Sequence, residues 1–423
     1  MTGFPADSAA MMLALLLLGL LVPQVVLTIW FIWSVRRRSA AFCRRDDSRN
    51  AAASVPADVV LCLRGCDPTL EQVIAALGRQ KHDDWRLRLI VDATDDPAWD
   101  VAHAAVARLN ATGAATWTAC TIEPLAERPL TGSLKCASLR QAIGSLDERT
   151  QVVALIDADS VVHEDWLLSL VDACMQPGVG AVSGNRWYVP DRDSVPGTVR
   201  AIWNAGAIVQ MSAFGIPWGG SLAIRRAAVH DCGWLEIIRT TLCEDTALAA
   251  PLAKSGWRYE FVPALVAVDE DDDISLEPLT RWISRQLLTA RLHHPGWPLV
   301  AVHGVTTSLA LAAAVAACGL AVVSARWQPL AIVGGGLGLY EAGSMLLLLA
   351  IDRTVLSAVG AVGRTFRPLD GRRTAWWCAM LPVTQCVYAV ATFAALRARV
   401  IEWRGIFYEI RRPKDRFEVW VRQ

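Results

Sequence analysis

Two carboxylates stand one residue apart where an apolar run ends: Val152-Val153-Ala154-Leu155-Ile156 leads into Asp157-Ala158-Asp159-Ser160. Five apolar residues in a row read as a buried strand. In an open parallel sheet, ligands bind beyond the carboxyl ends of the strands, so these carboxylates emerge into a crevice. Alternate residues of an extended chain point the same way. Asp157 and Asp159 can therefore share one divalent cation, and hard oxygen ligands suit Mg²⁺ or Mn²⁺. A metal held by so few ligands needs a partner with its own oxygens, such as a nucleotide diphosphate. The same residues also make an ordinary strand-end turn, so Asp-x-Asp alone does not decide.

Two further carboxylate sites stand at useful places. Asp92 ends the strand-like Leu87-Arg88-Leu89-Ile90-Val91, where it can meet a base or ribose or simply cap a turn. Glu244-Asp245 opens a helix-like run, Thr246 to Lys254. Carboxylates at a helix start are often caps, but a paired Glu-Asp can also set a general base beside a bound sugar.

The elements that must position these groups alternate. Strand-like Val59–Leu63, Leu87–Val91, Thr116–Ile122 and Val152–Ile156 are interleaved with helical spacing over Leu70–Leu77, Ala98–Leu109, Ser133–Ile143 and Asp165–Met175. That order predicts an α/β domain with a mostly parallel sheet over residues 57–270. No internal repeat breaks it.

The composition points to a membrane protein. Of 423 residues, 53% are apolar, and mean hydropathy is positive. Lys and Arg together equal Asp and Glu at 41 each, which suggests no nucleic-acid partner. The eleven cysteines show no C-x-x-C spacing and read as thiols in a reducing compartment. His163, His293 and His294 lack metal-ligand spacing, and the acidic run 269–273 reads as a solvated loop.

Met11 to Trp33 is long and apolar enough to span a bilayer, and the basic Arg36-Arg37-Arg38 follows it. By the positive-inside rule the amino terminus lies outside and the rest enters the cytoplasm. The expected organisation is an anchor at 1–35, a basic linker at 36–56, the α/β domain, an interfacial helix region at 271–297, membrane helices at 298–398 and a basic cytoplasmic tail at 399–423. Leu299–Val323, Leu330–Ile351 and Trp376–Leu396 each could span. Three crossings would leave the basic tail outside, so Trp376–Leu396 is expected not to cross simply. Glu341, inside an apolar stretch, is a candidate functional carboxylate. High Ala and Arg suggest a bacterial inner membrane.

Taken in order, these motifs resemble the ceramide glucosyltransferases, within the inverting, GT-A-fold glycosyltransferases of family 2 and family 21 type. The resemblance rests on Leu63-Arg64-Gly65-Cys66-Asp67-Pro68, Asp92-Ala93-Thr94-Asp95, Gly132-Ser133-Leu134-Lys135, Asp157-Ala158-Asp159, Gly219-Gly220-Ser221-Leu222, Cys243-Glu244-Asp245-Thr246 and the tail Trp403-Arg404-Gly405-Ile406-Phe407-Tyr408. It implies that Asp92 contacts uridine, that Lys135 helps bind the nucleotide, and that Asp157 and Asp159 hold Mg²⁺ or Mn²⁺ on the diphosphate. Asp245, with Glu244 beside it, would deprotonate the acceptor, and Gly219, Gly220 and Ser221 would lie on the acceptor side. The family's (Gln/Arg)-x-x-Arg-Trp motif is matched only in part by Pro278-Leu279-Thr280-Arg281-Trp282; Arg285 and Gln286 follow and could supply the missing polar groups. Arg281 would face the diphosphate and Trp282 the headgroup level.

The expected function is transfer of a hexose, glucose first, from a UDP-sugar to a lipid hydroxyl such as that of ceramide at the bilayer. The alternatives are a related transferase for a hopanoid or polyprenyl lipid, a polysaccharide synthase, and a non-catalytic membrane scaffold.

Overall fold

The computed structural model describes residues 4–42, 51–270, 274–413 and 416–422. Residues 43–50 of the expected linker and 271–273 of the acidic run lie outside the described residues.

The apolar runs form strands β1 (Ala57–Leu63), β2 (Trp85–Val91), β3 (Ala119–Pro124) and β4 (Val152–Ile156). They pair in parallel, β3-β2-β1-β4, in the expected α/β class. Helices α2 (Leu70–Gly78), α3 (Pro97–Thr112), α4 (Leu134–Gly144) and α5 (Trp166–Cys174) occupy the intervening segments. Their starts follow local chemistry. The Asp96 carboxylate accepts from Ala98 N–H ahead of α3, and the Ser133 hydroxyl accepts from Cys136 N–H ahead of α4. Every residue of β4 is buried, so the strand has apolar cover on both faces.

Beyond β4 the sheet departs from a simple parallel ladder. β5 (Val179–Ser183) and β7 (Ser221–Arg225) join it in the order β4-β7-β5-β8, with β8 being Arg258–Phe261. β7 runs antiparallel to both neighbours. A short parallel pair, β6 (Arg186–Tyr188) and β9 (Ala267–Asp269), leaves the main sheet beside the crevice. Between β6 and β7 lies a long helix, α6 (Val195–Phe214), started by the Ser194 hydroxyl and ended by Gly215 at φ +68°.

Four helices are long and apolar enough to cross a membrane. α1 (Phe4–Phe42) stays helical past Arg36–Arg38, and Arg38 donates to Phe261 O of the α/β domain. α7 (Leu276–His293) leads into α8 (Trp297–Val323), which turns at Ala325 into α9 (Trp327–Gly360). α1 and α9 pack through small residues: a Cβ on Gly336 would sit 2.7 Å from Ala14 Cβ, and one on Gly343 2.5 Å from Leu21.

α10 (Gly371–Arg397) is one continuous helix, roughly 40 Å long at 1.5 Å per residue. Its start rests on the α/β domain and its end on α7. At the start, Arg373 is buried and donates to Pro190 O at 2.8 Å, while Trp376 donates to Thr198 Oγ1 at 2.9 Å. At the end, Arg291 donates to Ala395 O and Ala398 O. The chain then forms an antiparallel sheet, β10 (Val400–Trp403), β11 (Ile406–Arg411) and β12 (Glu418–Val421). Gly132 N–H donates to Val419 O at 2.7 Å, so the tail lies against the loop before α4.

Gly184 joins β5 to the segment that carries Asn185 and Arg186. A Cβ there would come within 2.0 Å of Leu265 O, a backbone atom that cannot swing away. Gly184→Ala is expected to destabilise the protein by about 1–3 kcal/mol. A tryptophan-fluorescence melt of the detergent-solubilised variant checks this, and an unchanged melting temperature would contradict that packing.

Candidate functional site

The carboxyl ends of β1, β2 and β4 open into a cavity of about 420 Å³. Asp92, Lys135, Asp157, Asp159 and Asp245 line it from the sheet side, and Trp282, Arg285 and Gln286 of α7 line it as well.

Lys135 sits where the carboxylates converge. Its ammonium lies 2.7 Å from Asp157 Oδ1 and 2.7 Å from Glu244 Oε1. The second contact has the distance of an ion pair without the alignment of a hydrogen bond, and the Glu244 oxygens have no aligned donor among the described residues. Burial alone would lower the lysine pKa, but Asp157 and Glu244 outweigh it and hold Lys135 well above its ordinary value. Burial raises the Glu244 carboxyl even though Lys135 opposes the shift. Glu244 is fully buried and does not line the cavity. It supports Lys135 from behind instead of facing a substrate, which departs from its expected place beside the acceptor.

Asp159 is spread over one guanidinium, with Arg186 Nη1 at 2.9 Å from Oδ2 and Nη2 at 2.5 Å from Oδ1. Burial opposes its ionisation, but Arg186 prevails and brings its pKa down to about 2. Arg186 also lies 3.2 Å from Asp269 and 5.2 Å from the centre of the Trp218 ring.

Asp92 is buried, and its Oδ2 pairs with Arg64 and Arg128. Its Oδ1 is buried with no hydrogen-bond partner among the described residues. An orphaned acceptor at a cavity wall calls for a donor from outside the chain. Asp245 is held on both oxygens. Gly219 N–H donates to Oδ2 at 2.8 Å, and the Thr246 hydroxyl donates to Oδ1 at 3.0 Å. Gly219 and Gly220 make this fit possible: a Cβ on Gly219 would fall 2.2 Å from Glu244 Oε1, and one on Gly220 2.7 Å from Asp157 Oδ2. They form the floor under the carboxylates and do not themselves line the cavity. Ser221 lies buried in β7, where its hydroxyl accepts from Trp166 Nε1 at 2.8 Å.

On α7 the cavity face is a stripe of Trp282, Arg285, Gln286 and Thr289. Arg281 stands off that stripe. Its guanidinium is exposed and pairs with Glu277 one turn back, so the expected approach to a diphosphate is not what its position provides. Arg285 instead lines the cavity and lies 4.9 Å from the centre of the Trp403 ring. Among the described residues no carboxylate lies within ion-pairing distance of it, and burial lowers its pKa. A buried cation so placed favours an incoming anion.

The tail supplies cavity residues that were read from the sequence only as packing. Trp403, Arg404 and Tyr408 line the cavity. Arg404 adopts φ +48° at the β10–β11 turn, donates to Arg64 O at 3.1 Å, and accepts on its own carbonyl from Arg64 at 2.8 Å. Tyr408 Oη accepts from Leu134 N–H at 3.3 Å. The signal that marks these residues is the Arg404-Gly405 turn between two short strands.

His163 and His294 do not line this cavity, and His293 has a structural role: its Nε2 accepts from Leu242 N–H at 3.2 Å, three residues before Asp245. Burial pushes its pKa down to about 4 from 6.5. The folded state therefore holds the neutral ring, and the resulting stability is present above pH 6.5 and lost as pH falls from 6.5 toward 4. The loss is expected to be on the order of 3 kcal/mol. His293→Gln, which can still accept from Leu242, should show a flatter fall in melting temperature over that range; parallel falls in both proteins would contradict this role.

No curated protein sequence matches the chain. Similar solved structures include a mannosyltransferase from Pyrobaculum calidifontis in complex with GDP-Man and Mn²⁺, at 16% identity and a TM-score of 0.47, covering 91% of this chain and 99% of that one. A glucosyl-3-phosphoglycerate synthase from M. tuberculosis is similar at 17% identity and a TM-score of 0.36, covering 59% and 86%. The family match reaches from the first apolar helix through the sheet to the returning tail: over residues 16–415 the chain matches glycosyl transferase family 21, and it belongs to that family.

Proposed function

We propose that the chain transfers a hexose, glucose in the first instance, from a UDP-sugar to the hydroxyl of a membrane lipid of ceramide type. One observation carries this reading. The carboxylates at the strand ends share a cavity with the polar face of α7, and α7 runs directly into a membrane helix. A water-soluble donor can enter from the sheet side and a lipid from the bilayer side.

In this reading the orphaned Asp92 Oδ1 accepts a hydrogen bond from the uridine. Lys135 and Arg285 face the diphosphate as fixed positive charges. The acceptor hydroxyl lies beside Asp245, which takes its proton as the oxygen attacks the anomeric carbon. The bond from that carbon to the diphosphate breaks on the opposite side, UDP leaves with the electron pair, and the configuration inverts. The Gly219 and Thr246 donors orient Asp245 before the step.

The residues fit a divalent cation. Asp157 Oδ2 faces the glycine floor while Oδ1 serves Lys135, and Asp159 contributes hard oxygens that it shares with Arg186. Among the described residues no three His, Cys, Asp or Glu side chains form a complete metal site, so the diphosphate would supply the remaining ligands. When bound, the cation would neutralise charge on the departing diphosphate.

The same reading assigns sides to the bilayer. α1, α8 and α9 cross, and α10 does not, its start held by the domain and its end by α7. This keeps the tail strands on the side of the α/β domain, in the cytoplasm.

Two measurements test these assignments. Membranes carrying the chain should move labelled glucose from UDP-glucose into added ceramide, and chelation should abolish the transfer. Asp245→Asn should lower the rate about 10²–10⁴-fold with little change in UDP binding. Silence with every UDP-sugar, together with no UDP binding, would sink the enzyme reading. For topology, a protease site inserted at Ala325 should be cut from outside intact cells and one in the tail only after lysis; a tail cut from outside would overturn the placement of α10.

A further inference from the structure

A second cavity of about 200 Å³ lies between the domain helix α6 and the apolar helices α1, α8, α9 and α10. Trp203, Ala207, Gln210, Leu287 and Val300 line both this chamber and the catalytic cavity, so the two adjoin through a common wall.

Polar side chains reach into this largely apolar chamber. Gln24, Gln210, His303, Thr307, Tyr340 and Gln385 face it from five helices. Part of this polarity is used within the bundle: Gln24 donates to Tyr340 Oη at 3.1 Å, and His303 Nε2 lies 3.2 Å from Leu20 O. Part is not. Thr307 is 2% exposed and its hydroxyl has no hydrogen-bond partner among the described residues, and the buried Gln385 Oε1 has none either. In an apolar bundle a buried, unmet hydroxyl and amide oxygen are costly, and each calls for a partner. Tyr388 narrows the chamber toward α8, where a Cβ on Gly304 would meet its hydroxyl at 2.5 Å. Glycine at 304 keeps that approach open.

We propose that this chamber is a binding site for the polar backbone of the acceptor lipid, with Thr307 and Gln385 as specificity-determining residues. The inference rests on the transfer reading above for the identity of the acceptor. The hydroxyl to be glycosylated reaches past the common wall to Asp245, and the hydrogen-bonding groups next to it stay in the chamber. Thr307 and Gln385 present both donors and acceptors. An amide or a second hydroxyl satisfies both kinds, an ester carbonyl satisfies donors only, and a plain long-chain alcohol satisfies neither.

The test uses the full chain in nanodiscs and a ceramide carrying a photoreactive diazirine close to its amide. Cross-links should fall on chamber-facing residues of α8 and α10, and unlabelled ceramide, but not a long-chain primary alcohol, should compete. Thr307→Val and Gln385→Leu should each raise the KM for ceramide threefold to tenfold, the loss of one hydrogen bond. The KM for the UDP-sugar should stay unaltered, and Thr307→Ser should restore the ceramide KM. Cross-links confined to the lipid-facing surface, equal competition by the alcohol, or unchanged ceramide KM in both variants would overturn the proposal. Chamber labelling without transfer from any donor would leave the lipid site standing and sink the transfer reading. Transfer with labelling elsewhere would do the reverse.

Discussion

The buried ammonium of Lys135 is the interaction on which the rest of the site depends. Without it, Asp157 and Glu244 would be two carboxylates facing each other across a glycine floor in an apolar sheet end. Like charges at that depth repel strongly, and one would have to take up a proton. With Lys135 between them, β4, the Gly219-Gly220 turn and the Glu244-Asp245 segment can close on one another. The antiparallel β7 belongs to the same constraint. It leads out of the glycine turn and pairs with β4 register for register, Ile156 opposite Ser221, which sets the turn directly over Asp157.

A second constraint comes from the bilayer. The domain and the tail strands touch, although three apolar helices long enough to span separate them in sequence. The last of these, α10, is tied at its start to the domain and at its end to α7. The buried Arg373 with Pro190 O fixes one end, and Arg291 with the last carbonyls of the helix fixes the other. Terminal carbonyls that lack partners within a helix are thereby met by a guanidinium.

Much of the sheet and part of the site could be read in the sequence. Unbroken apolar runs such as Val152–Ile156 specify buried parallel strands, and carboxylates that end such runs must emerge at the crevice, as Asp92 and Asp157 do. The direction of β7 was not legible, because a buried strand carries the same apolar pattern whichever way it runs. The role of Glu244 was hidden for a related reason: two adjacent carboxylates look alike until the fold turns one inward. On α7, helical periodicity groups Trp282, Arg285, Gln286 and Thr289 on one stripe, while motif matching favoured Arg281. The periodicity describes where side chains point, and Arg281 pairs with Glu277 at the edge of that stripe. Hydropathy marked α10 as long and apolar but says nothing of where its ends are tied.

Trp403, Arg404 and Tyr408 complete a cavity whose other walls were all translated earlier. The strands that carry them follow the last apolar helix, so the roof of the site reaches the domain only after the membrane helices have been made and the tail has left the ribosome. Assembly order thus doubles as a safeguard: a nascent domain already folded on its sheet still lacks the surface against which its substrates would be enclosed. A chain whose helices pack wrongly leaves Trp403, Arg404 and Tyr408 away from the cavity they wall.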